Sequence, residues 1–221
     1  MLVETLNAEQ FLGLLGRVQQ AIEREKQRLS QLDSHIGDGD HGFGMANGFR
    51  IGFEKVSQDG AASIEAQLKT LGLSLIREVG GASGTIFGTV FLAMAKIAKD
   101  RPTAGLKDLS EMLTESVAQV QQRGKAQPGD KTMVDALGPA AESLRQSVEQ
   151  GVALAEGVRR AAQAALAGAE ATKNMVGKHG RAKYFKEKSI GFQDAGATTV
   201  SVILATLAEG IEELEAGVQA T

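Results

Sequence analysis

The sequence predicts an all-α protein, with eight antiparallel helices forming one bundle or barrel whose functional site lies at one end. Three observations carry this expectation. Apolar residues recur at helical spacing along most of the 221 residues. No run sustains the strict alternation of a half-buried strand. The connections are mostly short, and no composition shift or long linker divides the chain, so residues 1–221 read as a single domain.

Asn7 is placed to cap a first helix from Ala8 to about Leu29, with Phe11, Leu12, Leu15, Val18 and Ile22 on one face. Met45 to Val56 reads as a short second helix. Ser63 to about Val79 reads as a third, with Leu68, Leu71, Leu75 and Ile76 inward. Gly80-Gly81 breaks the chain before a buried helix from Ser83 to Lys99, in which Gly84 and Gly88 allow close packing. Pro102 and Gly105 mark the next turn, and Leu106 to about Gln122 forms a fifth helix. A polar loop, Arg123 to Lys131, leads to a sixth that runs through Ser147, with Asp130 as its candidate cap. Val152 to Asn174 is Ala-rich and helical. Val200 to Leu204 is β-branched enough to imitate a strand, but Ala197 to Leu214 keeps helical spacing and closes the chain.

Glycine and unusual polar residues concentrate in four connections, Asp33–Gly44, Gly80–Gly84, Arg123–Thr132 and Val176–Gly196. In an up-down bundle the connections after helices one, three, five and seven emerge at the same end. Residues far apart in sequence then meet in one site.

Composition excludes several classes. Cysteine is absent, so no disulfide or thiolate metal site holds the fold, which fits a reducing cytoplasm. The N-terminal Met1-Leu2-Val3-Glu4 lacks a basic segment followed by an apolar one. The longest apolar stretch, Thr85 to Ala95, stops at Lys96, short of a membrane span. A net charge of −3 points to neither nucleic acid nor an anionic membrane. With no Trp and one Tyr, a stacking surface for single strands is absent from the reading.

The segment Gln31 to Gly44 carries the chemistry. It sets Asp33, Asp38 and Asp40 close together and interleaves the last two with four glycines. Carboxylates so near repel one another unless a cation sits between them, and Mg²⁺ is the natural candidate. Gly37, Gly39 and Gly42 match a dinucleotide fingerprint in spacing, but a charged helical stretch precedes them where a strand is required. An EF-hand fails because its fifth and twelfth positions are Gly42 and Phe49. No ordinary P-loop pattern occurs. The segment reads as a carboxylate-metal site beside a phosphate, against a plain Asp- and Gly-rich turn.

The other connections are individually ambiguous. Gly80 to Gly84 precedes a helix, so its N–H groups and the Ser83 hydroxyl can hold a phosphate or simply cap the helix. Gly124 to Met133 alone reads as a surface loop, with Met133 as core. Lys173 to Lys188 carries six Lys or Arg against Glu187, which reads as a solvated face or as a flap whose Arg181 reaches phosphates. Asp194 reads as a helix cap or a ligand to a hydroxyl. His35, His41 and His179 have no metal-type spacing.

Taken in order, four segments resemble the L subunit of dihydroxyacetone kinase: LDSHIGDGDHG, GGASG with its following FG, RGKAQPGDKTM, and GRAKYFKEKSIGFQDAGATT. The resemblance implies an eight-helix barrel with ADP or ATP at one end. It implies two Mg²⁺ ions on the carboxylates of Asp33, Asp38 and Asp40. It carries nucleotide contacts to His41, Gly42, Phe43 and Gly44, to Ala82 and Ser83, and to Gly124, Met133 and Arg181. Asp194, Ala195 and Gly196 complete the set, with Arg181 also catalytic. The family often has Asn where Gly44 stands and Pro where Ala195 stands. The Gly44 departure costs a side-chain contact but keeps a backbone N–H.

The resemblance further implies a cytoplasmic chain, homodimeric within a hetero-oligomer. Its partner is a separate K subunit that holds the ketose through a histidine. The phosphate donor is ATP or a phosphotransferase-system protein that rephosphorylates resident ADP. Two alternatives stay open: an ADP-loaded regulatory module that binds a transcription regulator, and the nucleotide domain of a fatty-acid-type kinase. The latter usually has Thr where His41 stands.

Overall fold

The computed structural model describes residues 2–58 and 63–217; Met1, 59–62 and 218–221 of the 1–221 span lie outside the described residues. In chain order come β1 (Thr5–Asn7), α1 (Ala8–Ser34), α2 (His41–Gln58), α3 (Ile64–Glu78) and α4 (Gly81–Ala98). They are followed by β2 (Thr103–Gly105), α5 (Leu106–Gly124), α6 (Val134–Glu149), α7 (Leu154–Ala171) and α8 (Ala195–Glu215). Short 3₁₀ turns at Thr172–Asn174, Ala182–Tyr184 and Lys186–Ser189 lie between α7 and α8.

Each helix packs on the next, and α8 returns to pack on α1, so the eight helices close into a ring. Every helix buries one stripe toward the shared core and leaves its polar face outside. Ile22, Leu29, Leu68 and Leu75 are fully buried there. Each such side chain contributes about 1.5–3 kcal/mol by leaving water. Between α3 and α4 the approach is close because glycine faces glycine: a Cβ on Gly88 would lie 2.6 Å from the Gly72 carbonyl. The α4 helix, 18 residues long, is by length and composition apolar enough to cross a membrane, yet more than half of it is buried inside the ring.

Several boundaries follow the expected chemistry. Asn7 caps α1 by accepting from the Gln10 N–H at 2.9 Å, and the Gln10 side chain accepts the Asn7 N–H at 3.0 Å. Ser63 caps α3 by accepting from the Ala66 N–H at 3.1 Å. Other boundaries move. α1 continues five residues past Leu29, through positions that are polar but for Leu32, and carries Asp33 on its last turn. α2 begins at His41 rather than Met45, α4 at Gly81 rather than Ser83, and α8 at Ala195 rather than Ala197. Glycine's low intrinsic helix propensity hides these starts in the sequence, whereas tertiary packing sustains them.

The expectation of no sheet needs a small correction. β1 and β2 pair antiparallel over three residues, Thr5 opposite Gly105 and Asn7 opposite Thr103, tying the start of α1 to the start of α5. Three residues are too few for alternation to show. Asp130 does not cap α6, which begins after Met133 without a side-chain cap. The Asp135 carboxylate, on the first turn of α6, instead accepts the N–H groups of Gly129 and Thr132 at 2.5 and 2.9 Å.

Candidate functional site

The connections α1–α2, α3–α4, α5–α6 and α7–α8 meet around one cavity of about 620 Å³, a size suited to a small-molecule ligand. Asp33, Asp38, Asp40, His41, Ala82, Ser83, Gly124, Met133, Arg181, Asp194, Ala195 and Gly196 all line it. The alternating topology therefore gathers residues up to 163 positions apart.

On the acidic side, carboxylate oxygens of Asp33, Asp38 and Asp40 lie within 4.8 Å of one another. The turn that folds them together depends on Gly39, whose φ of +78° is a conformation L side chains rarely adopt. Its N–H donates to Asp33 Oδ2 at 2.7 Å, fixing that carboxylate. Burial, then the neighbouring charges of Asp38 and Asp33, raise the Asp40 pKa above the usual carboxylate value. Arg181 reaches across from the α7–α8 connection and pairs with Asp38 at 2.5 Å. Oxygen-only donors with net negative charge fit a hard divalent cation, and the repulsion left among them is the kind such an ion relieves.

Behind the carboxylates His41 is held neutral. Burial pushes its pKa down to about 4. Its Nε2 lies 2.8 Å from Thr199 Oγ1, and the Thr199 hydroxyl donates its proton to the Ala195 carbonyl at 3.0 Å. Nε2 must then carry the ring proton, which leaves Nδ1 to accept from Ser83 Oγ at 3.3 Å. The histidine thus sets the direction of the Ser83 hydroxyl at the first turn of α4. Gly80 caps that helix without a side-chain bond, so Ser83 is not the cap. The orphan N–H groups of the α4 N-terminus border the cavity beside Ala82 and favour an anion there.

The opposite wall is apolar, formed by Ile86, Phe87, Val120, Met133 and Val134. Asp194 caps α8 through the Ala197 N–H at 2.7 Å, and burial pushes its pKa up to about 6. Ala195 is the first residue of α8, a position at which Ala and Pro both fit.

Gly42, Phe43 and Gly44 do not line the cavity. Gly42 is buried against α1, where a Cβ would fall 1.9 Å from the Lys26 carbonyl, so its smallness serves helix packing. Phe43 is 54 % exposed, its ring 5.9 Å from Lys26 Nζ and its N–H donating to Ser30 Oγ. The Gly44 N–H is spent on the Asp40 carbonyl at 2.9 Å within the first turn of α2.

Sequence reasoning missed Lys131, His179, Arg123 and Thr199. Lys131 is 2 % exposed, which no local pattern announces for a lysine in a polar loop. His35 stands apart from the carboxylates, stacked on Phe192 with ring centroids 4.6 Å apart.

Comparison with known proteins identifies the family. The model for the DAK2 domain matches residues 35–209. The chain belongs to the DAK2 domain family. It is 39% identical over 209 residues to the ADP-binding subunit DhaL of the PEP-dependent dihydroxyacetone kinase of Escherichia coli K12, covering 95% of this chain and 100% of that one. To the ADP-binding subunit DhaL of the PTS-dependent dihydroxyacetone kinase of Lactococcus lactis it is 35% identical, over 92% of this chain and 98% of that one. Among solved structures, the dihydroxyacetone kinase of C. freundii in complex with AMP-PNP and Mg²⁺ superposes with a TM-score of 0.73 at 26% identity. That match covers 95% of this chain but only 35% of the kinase, so the chain spans about a third of its length.

Proposed function

We propose that this chain, as a single domain, is the nucleotide-binding and phosphoryl-transferring subunit of a dihydroxyacetone kinase or a closely related short-ketose kinase. The observation that carries the reading is the convergence of three carboxylates and an arginine on one nucleotide-sized cavity, in a chain aligned along the whole of an ADP-binding subunit. Asp33, Asp38 and Asp40 hold two Mg²⁺ ions, which when bound neutralise phosphate oxygens. The N-terminus of α4 takes a phosphate on the backbone N–H groups at Ala82 and Ser83, while the Ser83 hydroxyl is held by His41. The apolar wall with Met133 and Gly124 receives the base. Arg181 supplies preorganised charge to the phosphoryl group in transit.

The ketose sits on a separate K subunit that meets the open end of the ring, with this chain as a homodimer within the hetero-oligomer. Relatives matched along nearly their full length carry PEP- or PTS-dependent in their names, which supports a phosphotransferase-system protein as donor to resident ADP. The absence of cysteine supports a cytoplasmic setting.

Mass spectrometry of the protein released from its native source tests the whole reading. Retained ADP and a co-purifying ketose-binding subunit are expected. Calorimetry with ample Mg²⁺ that detects binding of neither ADP nor ATP would overturn it.

A further inference from the structure

The residues between α7 and α8 leave the ring as a flap, and its construction raises the question of what sets the position of Arg181. Three bonds hold the flap's arms to each other: the Asp194 N–H donates to Thr172 Oγ1 at 2.9 Å, the Gly191 N–H to the Lys173 carbonyl at 2.7 Å, and the Gly177 N–H to Ser189 Oγ at 2.9 Å. These bonds keep the flap's own shape. They do not fix where the flap sits over the cavity.

Besides the Arg181–Asp38 pair and the stacking of Phe192 on His35, that placement comes from two consecutive residues of the α5–α6 connection. Lys131 buries its whole side chain and sends its ammonium to both sides of the flap's neck. Nζ donates to the Thr172 carbonyl at 2.6 Å and also to the Phe192 carbonyl. Closer to the tip, Asp130 takes Lys178 Nζ at 2.7 Å on one oxygen and His179 Nε2 at 3.1 Å on the other. The Lys178 N–H also donates to the Asp130 carbonyl at 3.2 Å. Arg181 follows two residues later, next to Gly180 with φ +55°.

The support is itself rigid. Lys131 holds a positive φ of 60°, a strained conformation for a lysine, and the Asp135 carboxylate pins the turn on either side of it through Gly129 and Thr132. A buried ammonium is costly unless its donors are used. Backbone carbonyls as acceptors make the contact independent of the flap's side chains.

We infer that Asp130 and Lys131 are positioning residues for Arg181: Lys131 fixes the neck of the flap and Asp130 its approach to the tip. Together they hold the guanidinium over the carboxylate cluster before substrate arrives. This inference rests on the role given above to Arg181. Asp130 lies outside the cavity lining; Lys131 borders the cavity but spends its ammonium on the flap's carbonyls, so both act through the flap.

The test uses the full chain with Lys131→Met and, independently, Asp130→Asn. The flap carries exposed Lys178, Arg181, Lys183, Lys186 and Lys188, so trypsin reads its attachment directly. Both variants are expected to be cut within 178–188 about tenfold faster or more than wild type. Turnover with the ketose-binding subunit is expected to fall about tenfold to a hundredfold, because small misplacement of a reacting-group partner is that costly. The dissociation constant of the Asp130→Asn chain for Mg-ADP is expected to stay within about threefold, since Asp130 lies outside the cavity lining.

Unchanged cutting and unchanged turnover would overturn the inference. So would a loss of ADP affinity as large as the loss of turnover, which would make the pair part of the binding wall. Should Lys131→Met fail to fold, Asp130→Asn decides, because Lys178 and His179 lie on the flap and an Asn oxygen still accepts the Gln127 N–H that Asp130 accepts at 2.8 Å. A wild-type chain that binds no nucleotide would sink the function proposed above, while the trypsin comparison would still report whether this pair holds the flap.

Discussion

Replacing Asp40 by Asn separates the cost of the carboxylate cluster from its use, because the two effects have opposite signs. Carboxylate oxygens of Asp33, Asp38 and Asp40 lie within 4.8 Å of one another. At that separation each like-charge pair costs about 0.9 kcal/mol in bulk water and about 3.5 kcal/mol at an effective dielectric of 20. Asp40 is exposed, so the lower figure applies, and neutralising it removes two such pairs. Two terms offset the gain: the N-terminus of α2 favours an anion by about 0.3–1 kcal/mol, and Arg181 attracts the carboxylate. About 1 kcal/mol of net stabilisation remains, which for a chain of this size raises Tm by roughly 2–4 °C. With ligand the order reverses. Mg-ADP at a hundredfold excess over its dissociation constant stabilises the wild type by about 2.7 kcal/mol, and the variant, short of a charged ligand, loses most of that. Scanning calorimetry with and without Mg-ADP checks both signs. A variant that melts below wild type without ligand, or that keeps the full ligand-induced rise, would show that the three carboxylates are not a cation site.

Arg181 is 66 % exposed along its side chain, so Arg181→Ala is expected to leave Tm within about 1 °C of wild type. Steady-state phosphoryl transfer is expected to fall about a thousandfold, the scale of losing an arginine that stabilises the transition state; a collapsed Tm would mark it as structural instead. His41 should show no proton uptake by NMR between pH 7 and 5, because burial lowers its pKa to about 4. The unfolded chain takes that proton near pH 6.5, so stability from this group is present above 6.5 and falls by about 3 kcal/mol as pH drops to 4. An observed midpoint near 6.5 would refute its desolvated setting. Thr199→Val leaves the Nε2 proton without an acceptor, and urea unfolding at pH 7 should register a loss of about 1–3 kcal/mol.

Much of this protein is written locally. Helical spacing of Phe11, Leu15, Val18 and Ile22, or of Leu68, Leu71 and Leu75, is a short-range property, and those residues are buried as their spacing requires. The cap at Asn7 and the Asp-Gly turn before α2 are equally local, and so is the grouping of Asp33, Asp38 and Asp40. Up-down connectivity then places alternate connections at one end, which is why twelve of the fifteen expected site positions line one cavity.

What the sequence could not decide depends on partners distant along the chain. Gly42 is a packing residue because the Lys26 carbonyl lies against it, not because a phosphate does. Lys131 reads as a solvated lysine until Thr172 and Phe192, 41 and 61 residues away, are folded onto its ammonium. His41 owes its neutral form to burial and its tautomer to Thr199, 158 residues on. Local chemistry determined the helices and the acidic turn. Burial, protonation state and the hold on the flap were decided by tertiary contact, because desolvation and long-range hydrogen bonds exist only once the ring has closed.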